Sequence, residues 1–211
     1  MNYKNTIFND VIVQGDIIEY DITAAGINVM YAEGIISKGL YDYWMSLPKE
    51  IRNIKAGIHI GDNGLQPKRE KALNKYIDLF LKENEVEEND IMEIASDAIW
   101  LFNTKAAKIR KFKNVEFRAD RTASIMICWN NFKFYMDSWN GEFFVRGYRE
   151  FTPFVARIKE LLGLIENGTD QKTMYKFLHN FKMSIVYEEC KFINEEKSLE
   201  FVDWLLDQLI K

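Results

Sequence analysis

Residues 91–102 read IMEIASDAIWLF, two apolar segments separated by the short sequence Ala95-Ser96-Asp97. Apolar runs of this length, bounded by turn residues, are typical of buried strands. We therefore predict a hairpin with strands at 91–94 and 98–102, and with Asp97 in its turn. The rest of the fold is predicted outward from this hairpin.

The residues before the hairpin predict strands followed by helices. Residues 6–22 are rich in Ile, Val and Tyr and predict two strands around Gln14-Gly15-Asp16, with Asp21 at the end of the second. Four helices should follow, at about 24–33, 37–47, 48–60 and 67–83. Gly34 is a typical helix end and Ser37 is a typical N-cap residue.

The residues after the hairpin predict further strands and then only helices. Strands are expected at 115–118, 125–129, 132–137 and 142–147, with a hairpin turn at Asn140-Gly141 because both positions tolerate positive φ. Helices should follow at about 152–166, 170–188 and 195–210. This order predicts an α+β fold, with a mixed domain over 1–150 and a helical region over 151–211.

Composition excludes several classes of protein. The chain has 211 residues, 28 Lys and Arg against 32 Asp and Glu, and a net charge of −4. Hydrophobic residues make up 47% of the chain, which argues against disorder, and no apolar run reaches the ~18 residues of a membrane span. Two cysteines and the lack of an apolar leader predict a reduced, cytoplasmic protein without a membrane partner.

Positive charge is concentrated in one segment of this acidic chain. Residues 105–121 contain seven basic and two acidic side chains. The basic residues are Lys105, Lys108, Arg110, Lys111, Lys113, Arg118 and Arg121. Such a segment is either a solvated surface or a contact for nucleic-acid phosphates.

Asp21 and Asp97 are the candidate metal ligands. Each follows or interrupts an apolar strand, and carboxylates at strand ends can converge on a pair of divalent ions, as two-metal phosphoryl transfer requires. Each also has a simpler interpretation, because Asp before a helix is often an N-cap and Asp in a hairpin is often a turn residue.

The surroundings of these aspartates resemble family B DNA polymerases. YDITAAGI at 20–27 is similar to the first palm motif, and IASDAIWL at 94–101 is similar to the third, with Asp97 on its second aspartate. FKFY at 132–135 resembles a later Lys-Lys-Arg-Tyr motif. EFFVRGY at 142–148 resembles the strand that leaves the palm, and the helices after Thr152 resemble the thumb. The resemblance covers about residues 17–190.

The resemblance implies a minimal polymerase-like nucleotidyltransferase that synthesises nucleic acid or primers with Mg2+ or Mn2+. The resemblance would reduce the fingers to about 37–85 and would lack a counterpart of the exonuclease domain, so a partner protein is expected to supply fingers or exonuclease functions. DNA or RNA and nucleoside triphosphates are the implied partners. The implied site residues are Asp21 and Asp97 for metal and catalysis, Arg52, Lys55 and Gly26 for the nucleotide, and Lys133, Tyr135, Lys111 and Lys113 for nucleic acid.

Two departures from the family pattern leave alternatives open. Gly26 replaces a tyrosine that excludes the 2'-hydroxyl, so either ribonucleotides are accepted or Gly26 only eases helix packing. Ala95 replaces the first aspartate of the third motif, and Glu19 or Glu93 would have to compensate. The alternatives are therefore a catalytically inactive, polymerase-derived binding module and an unrelated α+β interaction domain.

Overall fold

The computed structural model describes residues 6–7, 10–103, 106–130, 132–147, 152–187, 189–190 and 194–210, with 6–7 as backbone. Its strands are β1 Thr6–Ile7, β2 Val11–Ile22, β3 Ile91–Ala95, β4 Ala98–Phe102, β5 Lys111–Phe112, β6 Val115–Trp129, β7 Phe132–Asp137 and β8 Phe143–Arg146. Its helices are α1 Ala25–Ala32, α2 Lys38–Met45, α3 Lys49–Asp62, α4 Gln66–Glu83, α5 Pro153–Glu166, α6 Gln171–Val186 and α7 Glu195–Leu209, with a 3-10 turn at Glu88–Asp90. The predicted α+β class is confirmed.

The chain divides into two compact units. The first unit contains β1 and residues 18–121, and the second contains residues 10–17 and the chain from Thr122 onward. The boundary thus differs from the predicted one at residue 150. The reason is that Phe134 of β7 packs with Phe201 of α7, which also packs with Phe154 of α5, so these strands and helices share one core.

The first unit is a sheet with the helices α1–α4 inserted between β2 and β3. Its strand order is β1-β3-β4-β2-β6, and β5 pairs with β6 at the side. The pairs β1/β3, β3/β4 and β5/β6 are antiparallel. Its core includes Tyr20, Ile77, Phe80, Ile99 and Phe117, all of them fully or almost fully buried. Packing of α4 on this core holds the helices next to the strand ends.

The second unit consists of strands covered by α5–α7. Its strand order is β2-β6-β7-β8, with antiparallel β6/β7 and β7/β8 pairs. Its core is formed by strand residues such as Ile125 and Phe134 and by helix residues such as Leu178 and Phe201. No helix in the described ranges is long and apolar enough to cross a membrane.

Two long strands replace four of the predicted ones. β2 continues through Gln14-Gly15-Asp16 for 12 residues, where the sequence predicted two strands and a turn. Gly15 has a φ of 146°, which only glycine adopts easily, and it therefore marks an irregularity inside the strand. β6 likewise runs for 15 residues and joins the predicted strands at 115–118 and 125–129. Both strands contribute residues to both units.

The helix ends follow the predicted capping pattern. Ser37 accepts a hydrogen bond from the amide of Leu40 at 3.3 Å, as an N-cap of α2 should. Gly34 has a φ of 67° directly after α1, which is the left-handed conformation that ends many helices. The seven predicted helices are all present, with ends within about two residues of those expected.

Candidate functional site

The end of β2 lies beside the β3–β4 hairpin. The amide of Ile22 donates a hydrogen bond to the carbonyl oxygen of Asp97 at 3.1 Å, and the amide of Thr23 donates to the carbonyl of Glu116 at 3.0 Å. Asp21 is therefore one residue away from a direct backbone contact with Asp97. The two predicted carboxylates come from parts of the chain 76 residues apart and meet at the same end of the first unit.

Both aspartates line one cavity of about 350 Å³, which we call the carboxylate cleft. The cleft lies within the first unit and is formed by the strand ends, the first turn of α1, one side of α3, and single residues of α4 and β6. Its lining is Asp21, Ile22, Thr23, Ala24, Ala25, Gly26, Ile27, Lys49, Arg52, Asn53, Ala56, Gly57, Ile60, Arg69, Asp97 and Arg118. A volume of this size is within the range of small-molecule sites.

The charge of the carboxylate cleft is opposite to that of the whole protein. Four cationic side chains and two carboxylates line it, giving a formal charge of +2 in a chain of net charge −4. The cations are Lys49, Arg52, Arg69 and Arg118. Concentrated positive charge in a cavity with low-dielectric walls favours anionic ligands.

Two of these arginines have unsatisfied donors. The Nε atoms of Arg52 and Arg69 are buried and have no hydrogen-bond acceptor. The guanidinium of Arg52 makes a weak contact, from Nη1 to the Met45 sulfur at 3.9 Å. A buried donor left without an acceptor costs about 1–3 kcal/mol, and such groups in native structures call for an explanation.

The backbone is strained next to each aspartate. Ala24, three residues after Asp21, has φ 45° and ψ 46°, and Ser96, directly before Asp97, has φ 58°. The left-handed region costs an ordinary residue roughly 1–2 kcal/mol. Strain of this kind concentrates at functional sites, where the surrounding structure holds it in place. Glu85, Asn103, Lys113 and Asn130, outside the cleft, also have positive φ, so this strain alone does not distinguish the cleft from other turns.

Gly26 lies against Arg69 of α4. A Cβ atom added to Gly26 would lie 3.5 Å from Cδ and 3.8 Å from Nη1 of Arg69, which are ordinary contact distances. Arg69 also shares a small cavity with Gly26, Ser96 and Asp97. The absence of a side chain at Gly26 therefore gives room to the guanidinium of Arg69.

Lys55 lies apart from the cleft. Arg52 is on the cleft side of α3, whereas Lys55 is exposed and donates a hydrogen bond from Nζ to the hydroxyl of Tyr43 at 2.6 Å. His59 of the same helix packs edge-on against Trp44, with ring centroids 5.3 Å apart. Lys55 is therefore engaged by α2 and is not among the residues that line the cleft.

Neither carboxylate expected to compensate for Ala95 is among the described residues that line the cleft. Glu19 is 1% exposed, and its Oε2 lies 3.8 Å from Nε of Arg121. Glu93 is buried within β3. Across the part of the chain that the structure describes, no group of three or more His, Cys, Asp or Glu side chains is placed to hold a metal ion.

The residues predicted to contact nucleic acid do not line the cleft. Tyr135 belongs to the second unit and is fully buried, with its ring stacked on Phe144 at 5.4 Å. The prediction for Tyr135 therefore needs correction, because a side chain with no exposed surface does not contact a nucleic acid. Lys133 is half-buried on the same strand.

The basic segment is partly used within the protein. Lys113 donates from Nζ to the carbonyl of Ala32 at 3.0 Å and lies 3.7 Å from the carboxylate of Glu33. Arg110 stacks on the ring of Tyr20, 5.4 Å from its centroid. Lys111 is exposed on β5. Lys105 lies outside the described residues.

Sequence reasoning missed Lys49 and Arg69 as candidates and assigned Arg118 only to the basic segment. No motif contains Arg69, which precedes the apolar positions of α4 and looks like an ordinary solvated residue. Its proximity to Gly26 and Asp97 arises only when α4 packs beside α1.

The fold and the cleft define an α+β protein that carries paired carboxylates in a positively charged cavity. The chain belongs to the family described as the bacteriophage PBS1 gene 130 protein, whose model matches residues 1–192. A search of curated proteins found no match.

Proposed function

We propose that this protein is a minimal, polymerase-like nucleotidyltransferase that acts on DNA or RNA with nucleoside triphosphates. The observation that carries the proposal is the meeting of Asp21 and Asp97 in one cleft with the net charge of +2. In this proposal the first unit acts as the palm, with α2, α3 and α4 as its reduced fingers, and the C-terminal helices act as a thumb.

The carboxylate pair fits Mg2+ or Mn2+ whose coordination is completed by the substrate. Mg2+ is commonly held by one or two carboxylates together with substrate phosphates and water, so a cage of three protein ligands is not required. When bound, such ions activate the attacking oxygen and stabilise the leaving group.

The residues of the chain would position and neutralise the substrate. Asp21 and Asp97 would hold the ions, and Arg52 would neutralise the phosphates, because guanidinium groups form paired hydrogen bonds with phosphate oxygens. The protein would form no covalent intermediate with the substrate. It would accelerate the reaction by orienting the substrate and by stabilising the transition state electrostatically. Exposed Lys111 remains available as a contact for the nucleic-acid backbone.

The proposal is tested by assaying incorporation of labelled nucleotides on primed DNA and RNA templates with Mg2+ or Mn2+. Asp21→Asn and Asp97→Asn should each lower incorporation by about 10²-fold or more. Both side chains are only half-buried, so the melting temperature should change little. Asp207→Asn, an exposed position on α7, is the matched control and should keep full activity.

The proposed chemistry is wrong if wild type incorporates no nucleotide on any template with either Mg2+ or Mn2+. It is also wrong if Asp21→Asn or Asp97→Asn keeps full activity. A catalytically inactive nucleic-acid-binding module is the second candidate, favoured by Ala95 at the position of a carboxylate. It predicts retention of a labelled oligonucleotide by a protein that incorporates no nucleotide. Asp21→Asn should leave that retention unchanged.

A further inference from the structure

Arg52 and Arg69 approach the carboxylate cleft from two different helices. Arg52 comes from α3 and Arg69 from α4, and both line the cavity. Each has a buried Nε without an acceptor, and within the described part of the chain neither forms an ion pair. Two guanidinium groups that line one cavity without ion pairs of their own are an incomplete arrangement, because arginine stays charged at any pH the protein meets.

We infer that Arg52 and Arg69 form a binding site for the phosphate chain of a small ligand, a nucleoside triphosphate. Guanidinium is planar and presents its donors as a fork that matches phosphate oxygens, which distinguishes it from the point charge of lysine. The identity of the ligand as a nucleotide rests on the proposed function. The predicted affinity for a phosphate chain is independent of the proposed function, since it follows from the two arginines alone.

The dimensions of the cleft favour a small ligand over a duplex. Its volume of about 350 Å³ is at the lower end of the range for small-molecule sites. Lys49 at the start of α3 adds a third cation to the same wall. Asp21 and Asp97 repel an anion that enters without metal, so in a metal-free experiment the cations of the cleft must supply the attraction. Among them, Arg52 and Arg69 present donor forks with an unused Nε.

Gly26 is part of this site because it leaves the guanidinium of Arg69 uncovered. The closest side-chain atom to a Cβ at Gly26 would be Cδ of Arg69, at 3.5 Å. A large side chain at this position would occupy the space next to the guanidinium. The glycine therefore contributes by its small size and not by any hydrogen bond of its own.

The test is the binding of inorganic tripolyphosphate to the full chain by titration calorimetry, with EDTA present and ionic strength held constant. Wild type should bind it, and Arg52→Gln and Arg69→Gln should each weaken the affinity about tenfold or more. The double variant should show no measurable binding. Arg69→Lys should fall between wild type and Arg69→Gln, because it keeps the charge and loses the fork.

Lys71→Gln is the matched control. Lys71 lies on α4 like Arg69, is exposed, and faces a different groove. It removes one positive charge from the same helix, so its affinity for tripolyphosphate should equal that of wild type. Equal losses in Lys71→Gln and Arg69→Gln would show that general surface charge binds the anion, and would overturn the inference. Wild type that binds tripolyphosphate no better than sulfate would also overturn it.

Two further ligands establish the chemical class. ATP should bind at least as tightly as tripolyphosphate, and failure of ATP to compete would exclude a nucleotide. A single-stranded oligonucleotide should not displace tripolyphosphate at equal phosphate concentration. Displacement by the oligonucleotide would assign the arginine pair to a nucleic-acid backbone instead.

Asp21→Asn separates this inference from the proposed function. The variant removes a negative charge from the cleft, so tripolyphosphate should bind equally or more tightly while incorporation is lost. If wild type binds tripolyphosphate but incorporates no nucleotide, the anion site is supported and the polymerase proposal is refuted. Incorporation that persists in Arg52→Gln and Arg69→Gln, with unchanged tripolyphosphate affinity, would refute the anion site alone.

Discussion

The amide of Ile22 donates a hydrogen bond to the carbonyl oxygen of Asp97 at 3.1 Å. This backbone contact places the end of β2 next to the turn between β3 and β4. Because it uses main-chain atoms, it does not depend on the side chain at position 97. The carboxylates of Asp21 and Asp97 can therefore be altered one at a time without releasing the strands that carry them.

Ala24→Gly should stabilise the protein. Ala24 has a left-handed backbone with φ 45°, which costs an alanine roughly 1–2 kcal/mol and glycine almost nothing. The greater entropy of glycine in the unfolded chain offsets part of this, so we expect a gain of about 0.5–1 kcal/mol in the free energy of unfolding. Urea unfolding measures it. Ala25→Gly, one residue later at the first position of α1, should destabilise instead, because this residue has no left-handed strain to relieve and glycine only adds entropy to the unfolded chain.

Gly26→Ala should be tolerated and Gly26→Tyr should not. The new Cβ in the alanine variant meets Arg69 at ordinary contact distance, so stability and tripolyphosphate affinity should stay close to wild type. The tyrosine ring has to displace the guanidinium of Arg69. We expect it to weaken tripolyphosphate binding about as much as Arg69→Gln does. Equal affinities in the tyrosine variant and wild type would show that Gly26 does not face the binding site.

Poor discrimination against ribonucleotides is expected if the protein is active. The steric exclusion of a 2'-hydroxyl needs a bulky side chain, and Gly26 has none. The measurement is the ratio of kcat/KM for a deoxynucleotide to that for its ribonucleotide counterpart. Gly26→Tyr should raise this ratio. A wild-type ratio that strongly favours the deoxynucleotide would contradict the prediction. It would indicate that another side chain, such as Arg69 beside Gly26, excludes the 2'-hydroxyl.

Tyr20→Phe should destabilise the first unit by about 1–3 kcal/mol. The hydroxyl of Tyr20 accepts a hydrogen bond from the amide of Ala107 at 2.7 Å, and both residues are buried. Removing the oxygen leaves this amide without its acceptor while the ring keeps its contact with Phe80. Tyr175→Phe, at a position 52% exposed, is the control and should change stability by less than about 0.5 kcal/mol. Equal urea midpoints for Tyr20→Phe and wild type would contradict the role of this hydrogen bond.

Glu33 should make stability depend on pH below neutrality. A hydrogen bond from Lys75 lowers the pKa of Glu33, with smaller contributions from Tyr76 and Lys113. A lowered pKa in the folded protein stabilises it above the unfolded value of about 4.5, and this contribution is lost as the pH falls through the folded pKa. Glu33→Gln should therefore lose less stability than wild type between pH 7 and pH 3.

The size of the Glu33 effect should be modest, because Lys75 is half-exposed and the pair is screened by solvent. Glu50→Gln, at an exposed position in the first turn of α3, serves as the control and should follow the pH dependence of wild type. Burial, followed by the bond to Glu33, raises the pKa of Tyr76 to about 12. Its absorbance should accordingly show no ionisation below about pH 11. Parallel pH curves for wild type and Glu33→Gln would disprove the linkage.

Local features of the fold could be predicted because neighbouring residues determine them. Ser37 caps its helix through a residue three positions away, and Asp97 lies in a turn bounded by two paired strands. The apolar period of α4 likewise needs only its own sequence. The break predicted at Gln14-Gly15-Asp16 was wrong, because neighbouring strands can hold a glycine irregularity inside a continuous strand.

The position of a side chain in the assembled unit could not be predicted in the same way. Tyr135 was expected at a nucleic-acid surface and is buried, with its ring stacked on Phe144 of the neighbouring strand β8. Arg69 was not predicted as a site residue, yet it lines the same small cavity as Gly26 and Asp97.

The sequence by itself determined the α+β class, the seven helices and the hairpin that presents Asp97, since hydrogen-bonding and apolar periods are local properties of the chain. Tertiary structure decided which charges share a cavity. Asp21, Arg52, Arg69 and Asp97 come from four different elements, and only the packing of α1, α3 and α4 around the strand ends brings them together. Contacts of this kind depend on the burial of apolar faces across the whole unit, which no short segment encodes.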